Sequence, residues 1–174
     1  TPITRHTGEF AMAYDPQTPY TILQTSTIDF VTMQRIKRFA RYWEMVANSG
    51  RFARVLEPLL APGSAFGNFL RFSDWLWQAT GKTHEFALEK LVDLLFEHLT
   101  AVRGLAVDLV RDALLADYLA SGARGRPACL AEVLASSPVG APLRGGRQRA
   151  ERQGRHLGQL VGHKEEIQRA AAAA

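Results

Sequence analysis

The chain has 174 residues, 47% of them hydrophobic and 22% charged, a balance that suits one soluble globular domain with its own core and excludes a wholly disordered tract. Its net charge of +4 gives only a weak pull toward an anionic partner, and its single cysteine, Cys129, excludes an internal disulfide and any cluster or zinc site built from this chain's thiols. No apolar run approaches the ~20 residues that cross a bilayer, and the start Thr1–His6 has neither an initiator Met nor a charged flank leading into an apolar block, so a reduced, cytoplasmic piece excised from a longer protein is expected.

Residues 1–26 are rich in Thr and Pro, which favours extended structure and turns. Phe10, Met12 and Tyr14, spaced by two, suit one face of a short strand. This leader reads as an edge strand or as a linker from a preceding domain. Ser26, Thr27 and Asp29 are N-cap types, and a helix is predicted from about Asp29. Its apolar stripe is Ile36, Phe39, Ala40, Trp43, Val46 and Ala47, with Arg35, Lys37, Arg38, Arg41 and Glu44 off it. Asn48-Ser49-Gly50 stops it, Gly50 taking the left-handed conformation.

A shorter helix is predicted over Arg51–Leu60, broken by Pro62-Gly63. Ser64 then caps a helix over Ala65–Thr80, apolar on two sides through Phe69, Leu70, Phe72, Trp75, Leu76 and Trp77. So narrow a polar face suits a central helix or one that meets another protein surface. Gly81 ends it and Thr83 is read as the cap of the next, with Phe86, Leu88, Leu91, Val92, Leu95 and Leu99 on its core side. Glu85, Glu89, Asp93 and Glu97 recur every fourth residue. Such a stripe repels itself, so it either faces water or meets a basic surface, for which Arg38 and Arg41 are candidates. After Gly104 a last strong helix runs to about Ala120, with Val107, Val110, Leu114 and Tyr118 inward. A short amphipathic turn is expected near Leu130–Leu134. Arg124, Arg126, Arg144, Arg147, Arg149, Arg152 and Arg155 make the end of the chain basic; it reads as a solvated tail or as an arm for nucleic acid or an acidic neighbour.

Signatures of catalysis are missing. The histidines, His6, His84, His98, His156 and His163, are scattered without metal-ligand spacing and read as ordinary surface or capping residues. There is no G-x-S-x-G elbow and no phosphate loop. Cys129, in an apolar segment after Pro127, reads as inert. A helix-turn-helix around Gly50 would offer only Arg51, Arg54 and Glu57 to bases.

Five patches in order carry a family resemblance: Pro19-Tyr20-Thr21-Ile22-Leu23-Gln24-Thr25; Arg38–Phe52, RFARYWEMVANSGRF; Phe72-Ser73-Asp74-Trp75-Leu76 with Thr80-Gly81-Lys82-Thr83-His84; Asp117-Tyr118-Leu119-Ala120-Ser121-Gly122; and Arg152-Gln153-Gly154-Arg155-His156. Over roughly residues 1–156 the chain resembles the C-terminal helical domain of unknown function carried by cobalamin-binding radical S-adenosylmethionine proteins. The resemblance implies a parent with a cobalamin domain and a radical barrel ahead of this segment, the barrel holding a [4Fe-4S] cluster on three cysteines that this chain lacks. Residues 1–18 resemble the end of such a barrel.

The expectation is therefore an all-α fold, an irregular bundle of about five helices over 27–135, with an extended leader over 1–26 and a loosely ordered basic, Gly/Ala-rich tail over 136–174. The function implied by the resemblance is an accessory C-terminal domain of a cobalamin-dependent radical S-adenosylmethionine Fe–S oxidoreductase or methyltransferase-like enzyme. It would be non-catalytic by itself, docking on the barrel or helping to recruit substrate. No catalytic, cofactor or metal residue is assigned within the chain; [4Fe-4S], S-adenosylmethionine and cobalamin belong to the parent, and its barrel and cobalamin domains are the expected partners. No membrane partner is expected. The candidate interaction surface is Arg35, Arg38, Arg41 and Tyr42 with Trp75. The alternatives are a stand-alone basic helical module that binds RNA or DNA, and a structural dimerisation bundle.

Overall fold

Short polar residues that accept backbone N–H groups set where the first and third helices begin. A computed structural model describes residues 5–136 of the chain. Asp29 Oδ1 accepts the N–H of Thr32 at 2.7 Å and starts α1, Phe30–Val46. Ser64 Oγ accepts the N–H of Gly67 at 3.1 Å and starts α3, Ala65–Thr80. Between them lies α2, Ala53–Leu60, and after α3 come α4, Leu88–Glu97, and α5, Val107–Ala120. A π-helical turn, His98–Val102, extends α4, and a 3₁₀ turn, Ala128–Leu130, leads into the short α6, Ala131–Ser136. The fold is all-α apart from one small antiparallel hairpin, β1 (Ala13–Tyr14) and β2 (Ile22–Gln24), with Tyr14 opposite Ile22. Chain packing places Thr1–Ser137 in one unit; the other, Pro138–Ala174, and with it the expected basic tail, falls outside the described residues.

The core is one contiguous cluster. Tyr42 and Val46 of α1, Val55 and Leu59 of α2, Phe69, Phe72 and Leu76 of α3, Leu91 to Leu95 of α4 and Val110, Leu114 and Tyr118 of α5 all meet in it. Each fully buried Phe or Leu contributes about 1.5–3 kcal/mol of apolar transfer. α1 packs on α3, α3 on α2, α2 on α5 and α5 on α4. The hairpin lies against α1, where Lys37 Nζ donates to Thr21 Oγ1 at 2.9 Å.

The helix α2 has only eight residues, includes Pro58, and has Phe52 at its N-cap, whose side chain makes no capping hydrogen bond. A helix so short does not stand alone in water. Two distant side chains complete it. The carboxylate of Asp117, on α5 and 5% exposed, accepts the N–H groups of Arg54 and Val55 at 3.0–3.1 Å. At the other end Arg103 donates to the carbonyls of Pro58 and Leu59, at 3.2 and 2.7 Å, and to that of Ala61. An anion sits at the N-terminus and a cation at the C-terminus, the signs that the helix dipole favours.

Four expectations are corrected. Ile36 (42% exposed) and Ala40 lie outside, while Tyr42, placed on the outer edge of α1 by spacing, is fully buried. Its hydroxyl donates to the Lys82 carbonyl at 2.7 Å, which makes burying the ring tolerable. Thr83 does not cap α4: Glu85 turns the chain with φ of 60° and the helix starts three residues after it, at Leu88. Val107, expected inward, is 45% exposed in the first turn of α5. The strand expected through Phe10, Met12 and Tyr14 shortens to Ala13–Tyr14, because Ala11 takes a positive φ of 43° and bends the chain before it.

The capping of α2 generates a stability prediction. Asp117→Ala leaves two backbone N–H groups without an acceptor and lowers unfolding free energy by about 2–3 kcal/mol. Asp117→Asn keeps one acceptor oxygen and loses about 1 kcal/mol. Urea titration followed by far-UV circular dichroism reads both; equal, small losses would show that the cap contributes little.

Candidate functional site

The basic edge of α1 is tied down along its length. Arg35 forms a bidentate pair with Asp74 of α3, its Nε 2.9 and 3.0 Å from the two carboxylate oxygens. The guanidinium of Arg38 lies 5.0 Å from the ring centre of Trp77. Arg41 Nε donates to the Thr83 carbonyl at 3.3 Å. With the Tyr42 hydroxyl on Lys82, these side chains stitch α1 to α3 and to the segment that follows it. Gly81 makes that segment possible: at φ of 63° it closes α3 and sends Lys82 and Thr83 back toward α1. The five expected surface residues thus separate. Arg35, Arg38 and Arg41 line the α1–α3 seam, Tyr42 is inside it, and Trp75 joins a different group of residues.

The acidic stripe is also divided. Glu85 precedes α4, Glu89 accepts the Tyr118 hydroxyl at 3.2 Å, and Asp93 accepts the N–H groups of Ala128 and Cys129 at 3.1 and 2.9 Å. Glu89 and Asp93 therefore hold α5 and the 3₁₀ turn; they do not meet Arg38 or Arg41. Burial, reinforced by Asp93, pushes the Cys129 thiol up to about 12, so it stays protonated, as the inert reading requires.

Among the described residues, two cavities border these elements. One is an apolar groove of about 490 Å³ on the outer side of α1 and α3, lined by Phe39, Ala40, Trp43, Glu44, Asn48 and Phe66. Phe39 stacks on Trp43 at 5.8 Å and meets Phe66 at 5.1 Å, and Phe66 is 60% exposed. The other is a cleft of about 300 Å³ between α3 and the π-helical turn, lined by Asn68, Arg71, Trp75, His98, Val102 and Arg103. His98 is 2% exposed, with Phe72 and Trp75 5.0 and 4.9 Å from its ring. Burial, with Arg103 nearby, lowers its pKa to about 4.

Expected to be an ordinary surface or capping residue, His98 is instead the buried centre of this cleft. Its position one residue beyond α4's regular end depends on the π turn, whose Arg103 N–H bonds the His98 carbonyl at 3.0 Å. The only signal available in the sequence was its place on the apolar side, one residue before Leu99. Among the described residues no group of three or more His, Cys, Asp or Glu side chains converges as a metal site, and no helix is long and apolar enough to cross a membrane.

The buried histidine makes stability depend on pH. The unfolded state takes up a proton below the ordinary value of 6.5, and the folded state resists until about 4. Stability is therefore full above pH 6.5 and falls as pH drops through this window. Comparing denaturation midpoints at pH 7 and pH 4.5 for the parent sequence and His98→Gln tests this: the variant loses part of the pH slope, and an unchanged slope contradicts a neutral buried imidazole.

No curated protein and no solved structure matches the chain. A family model does, over residues 8–157, a span that takes in the hairpin, the seam and both cavities. The chain belongs to the family of proteins of unknown function designated DUF4080.

Proposed function

We propose that this chain is an accessory C-terminal helical domain of a cobalamin-dependent radical S-adenosylmethionine Fe–S oxidoreductase or methyltransferase-like enzyme, non-catalytic by itself and docking on the preceding barrel. The observation that carries the reading is where four of the ordered sequence patches fall. Thr21 receives Lys37, Tyr42 reaches Lys82, Asp74 receives Arg35, and Asp117 caps α2. The residues that resemble the accessory domain are the joints of this bundle, which is what a shared scaffold requires.

The chain's own donors do not suit the parent's cluster. A [4Fe-4S] centre is held by cysteine thiolates, and the single thiol here is held protonated. No cluster chemistry is therefore assigned to these residues, and S-adenosylmethionine and cobalamin are likewise left to the preceding domains.

Docking falls to the outer face of α1. The hairpin that leads into the bundle lies against α1, so a domain preceding the hairpin approaches from that side. There the groove through Ala40, Trp43 and Phe66, with Ile36 beside it, leaves apolar surface uncovered. Arg41, also exposed, adds positive charge at its margin.

Two measurements test the reading. The purified chain is expected to hold neither iron nor cobalamin; stoichiometric binding of either overturns it. In a longer chain that includes the preceding domains, Ile36→Glu with Phe66→Glu alters two exposed side chains and leaves helix content intact. Turnover then drops about tenfold and protease cleavage near the hairpin rises. Unchanged turnover and cleavage would reject this face as the contact.

A further inference from the structure

The cleft beside His98 is not used by docking on α1. Its polar side chains are the guanidiniums of Arg71 and Arg103, the amide of Asn68, the indole of Trp75 and the imidazole of His98. No carboxylate is among them, so the cleft carries two positive charges with no acidic lining residue to offset them.

The donors differ in what they have left to give. Arg103 is engaged with the carbonyls that end α2, and supplies charge and rigidity. Arg71 donates from one terminal nitrogen to Asn68 Oδ1, and its other N–H groups have no partner among the described residues. Asn68 is held in turn by the carbonyls of Leu60 and Pro62, which fixes the oxygen that Arg71 grips. His98 is the sharper sign. It is buried, its ring is wedged against Phe72 and Trp75, and its Nδ1 has no hydrogen-bond partner. A buried polar atom without a partner in a native fold calls for a water, an ion or a ligand group.

The backbone adds a second, independent mark. The π-helical turn His98–Val102 supplies His98 from one end and is followed at once by Arg103, with the Arg103 N–H on the His98 carbonyl. Such turns recur where a helix is distorted to present side chains to a ligand. Trp75 and Val102 complete the walls with apolar surface. A volume of about 300 Å³ lies at the small end of ligand cavities.

We propose that this cleft binds the oxyanion group of a small molecule, a carboxylate or a phosphate, gripped by Arg71 and seated against the His98 ring. Arg71 offers a planar fork that matches either oxyanion bidentately. A neutral imidazole keeps one N–H to donate, and Arg103 adds attraction without having to move. The remainder of the ligand lies along Trp75.

The test is NMR titration of the whole labelled chain, following the His98 ring and Trp75 indole signals. Inorganic phosphate and acetate are the two probes, with sodium chloride at matched ionic strength as reference. At least one probe is expected to shift both signals saturably, and the tighter probe identifies the oxyanion. Arg71→Gln, at an exposed position, is expected to stay folded by circular dichroism and to weaken binding at least tenfold; Arg126→Gln, outside the cleft, leaves it unchanged. The proposal is overturned if neither probe saturates, or if Arg71→Gln binds as tightly as the parent sequence. Iron and cobalamin content do not bear on this result, so failure here leaves the docking reading standing, and the reverse.

Discussion

The short helix α2 exists because two side chains from later in the chain hold its ends. Its own sequence is poorly equipped: eight residues, an internal proline, and a phenylalanine where a capping oxygen belongs. Asp117 and Arg103 supply what is missing, the first from α5, which packs beside α2, the second from the residue that follows the π turn. Because α2 lies between α3 and α5, these two contacts also fix how the two halves of the bundle meet. Removing either frees more than a helix end. It loosens the wedge that Val55 and Leu59 drive into the core.

Local signals were readable from the sequence. Asp29 and Ser64 cap helices and Gly81 ends one, because each acts within four residues of itself; Gly50 takes the expected left-handed conformation, but α1 has already ended at Val46 with Ala47 as its cap. The all-α class follows from the apolar stripes of α1, α3, α4 and α5. What could not be read are partnerships across dozens of residues. Tyr42 fits either side of α1 by spacing, and only the Lys82 carbonyl, 40 residues away, decides for burial. The acidic residues of α4 look like a solvated stripe until Glu89 meets Tyr118 and Asp93 meets the turn at Ala128. His98 stayed hidden because spacing rules assume a regular helix, and its setting is made by a π turn.

The same distinction separates the two functional proposals. Docking on a preceding barrel draws on resemblance and on an uncovered apolar face, features that belong to the surface and to the chain's neighbours. The oxyanion cleft draws on a buried imidazole, two guanidiniums and a distorted turn, features internal to the bundle. On these two proposals together, α3 is the element shared by the anion cleft and the docking face. That helix carries Asn68, Arg71 and Trp75 in the cleft and Phe66 in the groove.

The order in which the chain leaves the ribosome gives the clamps on α2 a temporal meaning. α1 and α3 can pair, and Tyr42 can find Lys82, once the chain as far as Lys82 has emerged. α2 cannot be finished then: its C-terminal clamp arrives with Arg103 and its N-terminal clamp only with Asp117. Until α5 is present, the segment between α1 and α3 lacks both of the clamps that complete α2. Domains generally fold as units during synthesis, and here the last strong helix carries the carboxylate without which α2 has no N-terminal cap.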